Sequence, residues 1–204
     1  MHEFRNSYLI MRHGESEANV AGVIVSNPDI GCSQYGLSET GRLQASESAQ
    51  LHHASGITKI VCSDFLRTQQ TAEIVQQQLG LPDVQIDEGL RERYFGVWDG
   101  DSHTHYQNVW RADGLGGVPE DQQVESASAV LERGLGVLSR LEASLSDETI
   151  LLVSHGDMLQ ILRTAFLGVS PFKHRDLAHH ETGEVKPLVA KGESYPLDRW
   201  LASA

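Results

Sequence analysis

Tyr8-Leu9-Ile10-Met11-Arg12-His13-Gly14 passes within one short stretch from an apolar run to a cation, an imidazole and a glycine. The same change recurs at Ile150-Leu151-Leu152-Val153-Ser154-His155-Gly156. A short apolar run bounded by polar and turn residues has the pattern of a buried strand. Residues 59–63 and 84–86 share that character. Between these runs lie helical patterns. Ser38 is a candidate N-cap for a helix to about His52, even with Gly41 in its first turn. Residues 65–79 stop at Gly80, with Pro82 just beyond. Residues 124–145 carry Val130, Leu131, Leu135, Leu138, Leu141 and Leu145 at helical spacing, and a last helix runs from about Asp157 to Leu167 before Gly168. Strands alternating with helices predict an α/β fold, a three-layer α/β/α sandwich around a mostly parallel sheet. Residues 99–123, with four glycines, one proline and little periodicity, read as a short cap on a single domain spanning residues 1–204.

The 204 residues carry a formal net charge of −12. No apolar run approaches the roughly 20 residues that a membrane-spanning helix needs. The N-terminus, with Glu3 and no extended apolar region, does not read as a secretory signal. Two cysteines, Cys32 and Cys62, are too few for a disulfide framework, so a cytoplasmic location is expected. An acidic chain without a basic tract disfavours nucleic acid and membrane surfaces as partners. It does not exclude a single phosphate in a concave site, where the local field governs binding.

In open α/β sheets the chemistry lies beyond the carboxyl ends of the strands. Those ends carry Arg12-His13-Gly14, then Ser63-Asp64-Phe65-Leu66-Arg67, then Arg91-Glu92-Arg93-Tyr94, and finally Ser154-His155-Gly156-Asp157. Arginine offers planar, permanently charged donors that match phosphate oxygens. A neutral imidazole can attack phosphorus, a second can donate to the transferring group, and a carboxylic acid can protonate a leaving oxygen. That inventory fits phosphoryl transfer without a metal or another cofactor.

These motifs, in this order from Tyr8 to about Leu167, resemble those of the histidine phosphatase superfamily, which includes the cofactor-dependent phosphoglycerate mutases and many small phosphatases. The resemblance implies a phosphoglycerate mutase-like sandwich and specific roles. His13 would be the nucleophile that carries the phosphoryl group. Arg12, Arg67 and His155 would cradle it, Asn19 would contact phosphate, and Glu92 would be the proton donor. Asp157 is a second-choice acid, although its place after His-Gly better suits a helix first turn.

Other chemistries fit less well. Gly14-Glu15-Ser16-Glu17-Ala18 nearly matches the serine-hydrolase turn, with His155 as a late triad histidine, but the final glycine is absent and Arg12 and Arg67 go unexplained. Cys62 and Arg67 hint at a cysteine phosphatase, yet four residues separate them where that loop needs five. The remaining histidines, His52-His53 and His103/His105 among them, show no metal-binding signature. A non-enzymatic relative would more usually have lost one of the five site residues.

Within the family, mutases carry a long insertion between the acid and the second histidine, with an arginine pair for the substrate carboxylate. Here 63 positions separate Glu92 from His155, and residues 99–123 hold only Arg111. A phosphomonoesterase acting on a small phosphorylated metabolite is therefore the expected activity, with mutase-type transfer as its alternative. Arg93, Tyr94 and Arg111 are the candidate substrate contacts. The segment from Lys173, with His174, Arg175, His179, Lys186, Lys191 and Arg199, is a candidate to fold back near the site. Homodimers have family precedent, but no interface is legible in the chain.

Overall fold

The computed structural model describes residues 2–195. Its centre is a five-stranded sheet of β2 (Ser7–Arg12), β3 (Lys59–Cys62), β4 (Gln85–Ile86), β5 (Thr149–Ser154) and β6 (Val185–Val189), in the order β4-β3-β5-β2-β6. The first four are parallel and β6 is antiparallel to β2. A two-residue ribbon pairs β1 (His2–Glu3) with β7 (Ser194–Tyr195), and two short helices, α1 (Glu17–Ala21) and α2 (Pro28–Gly31), follow β2.

Alternation along the strands divides the core. On one face Tyr8, Ile10, Val61, Ile150 and Leu152 pack in a cluster with residues of α6 (Ala127–Ser144) and α7 (Gly156–Leu167). On the other, Met11, Ile60, Cys62, Leu151 and Val153 pack against α3 (Glu39–Leu51) and α4 (Leu66–Leu79). Side chains at successive strand positions point to opposite faces, so each short apolar run serves both layers at once. This is the three-layer, mostly parallel sandwich expected from the sequence.

The helix ends fall where the local chemistry puts them. Ser38 caps α3 by accepting from the Gly41 amide, and Gly80 and Gly168 end α4 and α7 in the left-handed conformation. Residues 99–123 are more regular than their glycine content suggests, since they contain α5 (Tyr106–Gly114). Val109 of this helix joins Ile24 and Phe95 in a separate small core, flanked by Trp98, Tyr106, Val118 and Val124. The edge strand β6, interrupted by Pro187, was not legible as a strand. Its place at the margin of the sheet, with a register shift opposite Tyr8/Leu9, is the setting that tolerates proline.

Gly41 has a spatial reason. A Cβ there would stand 1.9 Å from the Glu15 carbonyl oxygen, and a Cβ on Gly14 would stand 2.2 Å from the Gly41 oxygen. The turn after β2 therefore lies directly on the first turn of α3. It is strapped there by Ser38 N to Glu15 O at 2.9 Å, Ser38 Oγ to Glu15 Oε1 at 2.6 Å and Glu15 N to Gln44 Oε1 at 2.8 Å. Gly41→Ala should lower the unfolding free energy in urea by about 1–3 kcal/mol through overpacking. Gly136→Ala in α6, where a Cβ meets only the tip of Arg140 at 3.4 Å, should be neutral or stabilising. Equal effects of the two would remove the close approach as the cause.

Candidate active site

Register brings the site together. Arg12 pairs with Ser154 across β2 and β5, and Cys62 pairs with Val153 across β3 and β5. His13, Ser63 and His155 therefore leave the same edge of the sheet side by side. The His13 and His155 rings meet edge to face with centroids 5.2 Å apart, and His155 Nε2 lies 3.1 Å from Ser63 Oγ.

His13 is oriented at both nitrogens. Its Nδ1 lies 2.7 Å from the Gly14 carbonyl oxygen, which can only accept, so Nδ1 carries the proton. Nε2 keeps its lone pair and accepts from Arg67 Nε at 3.1 Å. The Gly14 amide donates to Thr71 Oγ1 at 3.1 Å, and that hydroxyl donates in turn to the Arg67 carbonyl at 2.7 Å. The turn that carries His13 and the helix that carries Arg67 thus hold each other in place.

Arg67 is buried in the first turn of α4, with Nη2 on the Val25 carbonyl at 3.0 Å and its guanidinium over the Phe65 ring. Arg12 Nη1 donates to the His180 carbonyl at 2.9 Å. Three buried nitrogens of this group, Arg12 Nε, Arg67 Nη1 and His155 Nδ1, have no hydrogen-bond partner among the described residues. Buried polar atoms are ordinarily paired. Unpaired nitrogens gathered around one imidazole suit an anionic ligand.

Two carboxyl groups stand nearby with opposite tendencies. Glu92 Oε1 accepts from the Arg93 amide at 2.9 Å and the Met158 amide at 3.1 Å, so it also caps α7. Burial, reinforced by the Asp157 charge, raises its pKa and favours the neutral acid. Burial pushes Asp157 upward too, but His174, Arg93 and the Trp110 indole hold it at about 2. Both Asp157 oxygens accept from Trp110 Nε1 at 3.0 Å. Glu92 is thus the carboxyl biased toward its neutral form, and Asp157 is a structural anion joining cap and core. Arg133 holds the Glu92 loop by donating to the carbonyls of Gly89 at 2.8 Å, Arg91 at 2.7 Å and Glu92 at 3.1 Å.

The structure gathers Arg12, Asn19, Glu92 and Asp157 around a cleft of about 210 Å³, with His13, Arg67 and His155 buried in the same cluster. Asn19 doubles as the N3 residue of a capping box, its Oδ1 accepting from the Ser16 amide and hydroxyl. Three candidate substrate contacts lie elsewhere. Arg93 is fully buried and paired twice with Asp113, at 2.6 and 2.9 Å, because a guanidinium inside the cap needs a carboxylate beside it. Tyr94 faces a separate, open cleft lined by Arg91, Glu125 and Arg133, and exposed Arg111 lines neither. Tyr106, Trp110, His103, Arg175 and His179 line the cleft beside Arg12 and Glu92 instead. The segment after α7 does fold back, with His179 Nε2 at 3.1 Å from Arg12 Nη1. Lys186 pairs with Glu184 and Lys191 with Asp147, while Arg199 lies outside the described residues.

The serine-hydrolase alternative loses its nucleophile, since Ser16 is a buried N-cap engaged with Asn19 while His155 faces Ser63. Cys62 points into the apolar layer, where burial pushes its thiol up to about 12. Among the described residues, no group of three His, Cys, Asp or Glu side chains is arranged to hold a metal ion, and no helix is long and apolar enough to cross a membrane.

Burial, then the charges of Arg67 and Arg12, keeps the His13 pKa well below the usual 6.5. Burial, then Arg67 and His13, does the same to His155. For a depressed imidazole the unfolded chain binds the extra proton, so stability is lost as pH falls below about 6.5. Urea titrations between pH 6.5 and 5 should show a His13→Asn variant losing stability less steeply than the parent, by a difference that rises toward about 1.4 kcal/mol per pH unit at the acid end. Parallel slopes would mean that His13 titrates normally.

Comparison with known proteins places the chain. The profile of the histidine phosphatase superfamily (branch 1) matches residues 8–202. The probable phosphoglycerate mutase GpmB of Cronobacter sakazakii is 34% identical over 201 residues, covering 96% of this chain and 87% of that protein. Among solved structures, Bacillus stearothermophilus YhfR superposes with a TM-score of 0.79 at 26% identity, covering 93% of this chain and 94% of that one. A mycobacterial glucosyl-3-phosphoglycerate phosphatase complexed with VO3 superposes at 0.75 with 25% identity, covering 92% and 99%.

Proposed function

This chain belongs to the histidine phosphatase superfamily, and from that membership we propose that it is a metal-independent phosphomonoesterase acting through a phosphohistidine on His13. The observation that carries this reading is the tautomer of His13: Nδ1 donates to the Gly14 carbonyl, which leaves the Nε2 lone pair among the unpaired nitrogens of Arg12, Arg67 and His155. In the first step Nε2 forms a bond to phosphorus as the ester P–O bond breaks. The departing oxygen takes the proton of Glu92 and leaves as an alcohol. In the second step water attacks phosphorus, Glu92 takes up its proton, and the N–P bond returns its electron pair to Nε2. The equatorial oxygens are met throughout by Arg12, Arg67 and His155, where the charge of a loose phosphoryl transition state resides.

The curated relatives carry a mutase name, and the mycobacterial neighbour carries a phosphatase name. The cap favours hydrolysis: it holds one arginine, Arg111, which is exposed and away from the cleft. Transfer between positions of a phosphoglycerate is the second reading, favoured by the 34% identity over nearly the whole chain.

Incubation with a labelled phosphate ester should trap label on His13, stable in alkali and lost in acid, and chelators should leave turnover intact. Label on Ser16 would sink the mechanism. Glu92→Gln should slow esters with poor leaving groups about 10²–10⁴-fold and activated aryl phosphates far less, and equal losses would remove Glu92 from the acid role. With 3-phosphoglycerate, release of phosphate should outpace isomerisation with or without 2,3-bisphosphoglycerate. The opposite order would establish the mutase reading.

A further inference from the structure

Arg175 is a cation with no part in the phosphoryl cradle. It belongs to the 3-10 turn Pro171–Asp176 after α7 and lines the cleft with Arg12, Asn19, Glu92 and Trp110. Its guanidinium carbon lies 3.7 Å from the Trp110 ring centroid, and Nη1 donates to Gln160 Oε1. Asp157 Oδ1 stands 3.9 Å from Nη1, but that carboxylate is shared with Trp110, Arg93 and His174. Nε and Nη2 of Arg175 make no hydrogen bond among the described residues. These two N–H groups run parallel along one edge of the guanidinium, at the spacing of carboxylate oxygens. The protein fills that same edge with a carboxylate twice elsewhere. Arg91 Nε and Nη2 hold Asp64, and Arg133 Nε and Nη2 hold Glu125.

We propose that Arg175 binds a carboxylate on the part of the substrate that is not transferred, so that the preferred substrate is a small phosphomonoester bearing a carboxylate. The proposal rests on the phosphatase reading and adds a selectivity residue to it. Three features give it content. The cleft, about 210 Å³, is smaller than the roughly 300–1,000 Å³ of sites for drug-sized ligands, which suits a skeleton of a few carbons. Trp110 is covered by Arg175 and stacked on Tyr106 with centroids 5.4 Å apart, so this aromatic wall is not an open platform for a nucleobase. Finally, Arg12 can only donate, so His179 Nε2 accepts from it and the His179 proton sits on Nδ1 as a neutral donor on the same wall. With Arg12 and Arg67 facing the phosphoryl group, Arg175 is the cation left for a second anion among the described residues that line the cleft.

3-Phosphoglycerate and glycerol 3-phosphate differ by a carboxylate in place of a hydroxymethyl group and make the test direct. The parent protein should favour the first in kcat/KM by about 10- to 100-fold, the worth of a charged, desolvated contact. Arg175→Gln should lose most of that ratio, through weaker binding of the carboxylate ester (a raised KM) rather than a lower kcat. Arg175→Lys, which keeps the charge without the fork, should recover part of it. A ratio near one in the parent, or a ratio unchanged by Arg175→Gln, would overturn the assignment, as would equal losses on both esters. If neither ester is hydrolysed and no labelled phosphate ester leaves its phosphoryl group on His13, the phosphatase reading fails by itself. Calorimetric affinities of the same two esters for parent and Arg175→Gln then decide the subsite by the same ratio.

Discussion

The parallel pairing of β2 with β5 is the constraint on which the site depends. With Arg12 opposite Ser154 and Val153 opposite Cys62, three consecutive sheet positions end at one level. Side-chain period in a strand is two, so a slip of one residue would exchange the two faces and bury Met11 and Ile10 in the wrong layers. The apolar alternation that fills both layers therefore also sets the two imidazoles beside each other. Strands lie about 4.8 Å apart, and the His13 and His155 rings are separated by little more, at 5.2 Å. Packing and chemistry are linked through register, and the turn after β2 is then pressed against α3 by a contact that admits no side chain at Gly14 or Gly41.

Burial decides the protonation states that this geometry uses. Removing His13 and His155 from water beside Arg67 disfavours the imidazolium form of both. The same removal favours the neutral form of Glu92. The proposed phosphoryl transfer draws on imidazoles and a carboxyl biased toward their neutral forms beside fixed guanidinium groups, a combination that depends on the fold's low-dielectric interior. Asp157, more deeply buried than Glu92, stays ionised because Trp110, His174 and Arg93 surround it. Two carboxyl groups on adjacent elements are thus driven apart by their partners. The formal charge of −12 is spread over the surface and does not govern this enclosed cluster.

The strand ends were the legible part of the site, because Arg12, His13, Arg67, Glu92 and His155 each sit in or after a local pattern with its own periodicity and stop signal. The partners of the neighbouring residues were not legible. Arg93 follows Glu92 and looks available, yet its partner Asp113 lies in α5, and only the folded cap brings the two within 2.6 Å. Arg133 sits on the long helix α6 with no local mark of function, and its three carbonyl contacts exist only across the interface with the Glu92 loop. Arg175 and His179 lie in the segment after α7, and the wall they form needs Trp110 from the cap and Arg12 from the sheet edge.

By itself the sequence determined the alternation of strands and helices, the caps and stops that bound them, and which residues stand at the carboxyl ends of the strands. These are local properties, written in the spacing of apolar residues and in the placement of Ser38, Gly80 and Gly168. Tertiary structure alone decided which arginines meet solvent and which are consumed by buried carboxylates. It also decided the opposite directions in which the Glu92 and Asp157 carboxyls are shifted, and which side chains complete the wall of the cleft. Those outcomes depend on desolvation and on partners far apart in the chain, such as Arg12 and His179. Neither quantity exists until the layers have packed.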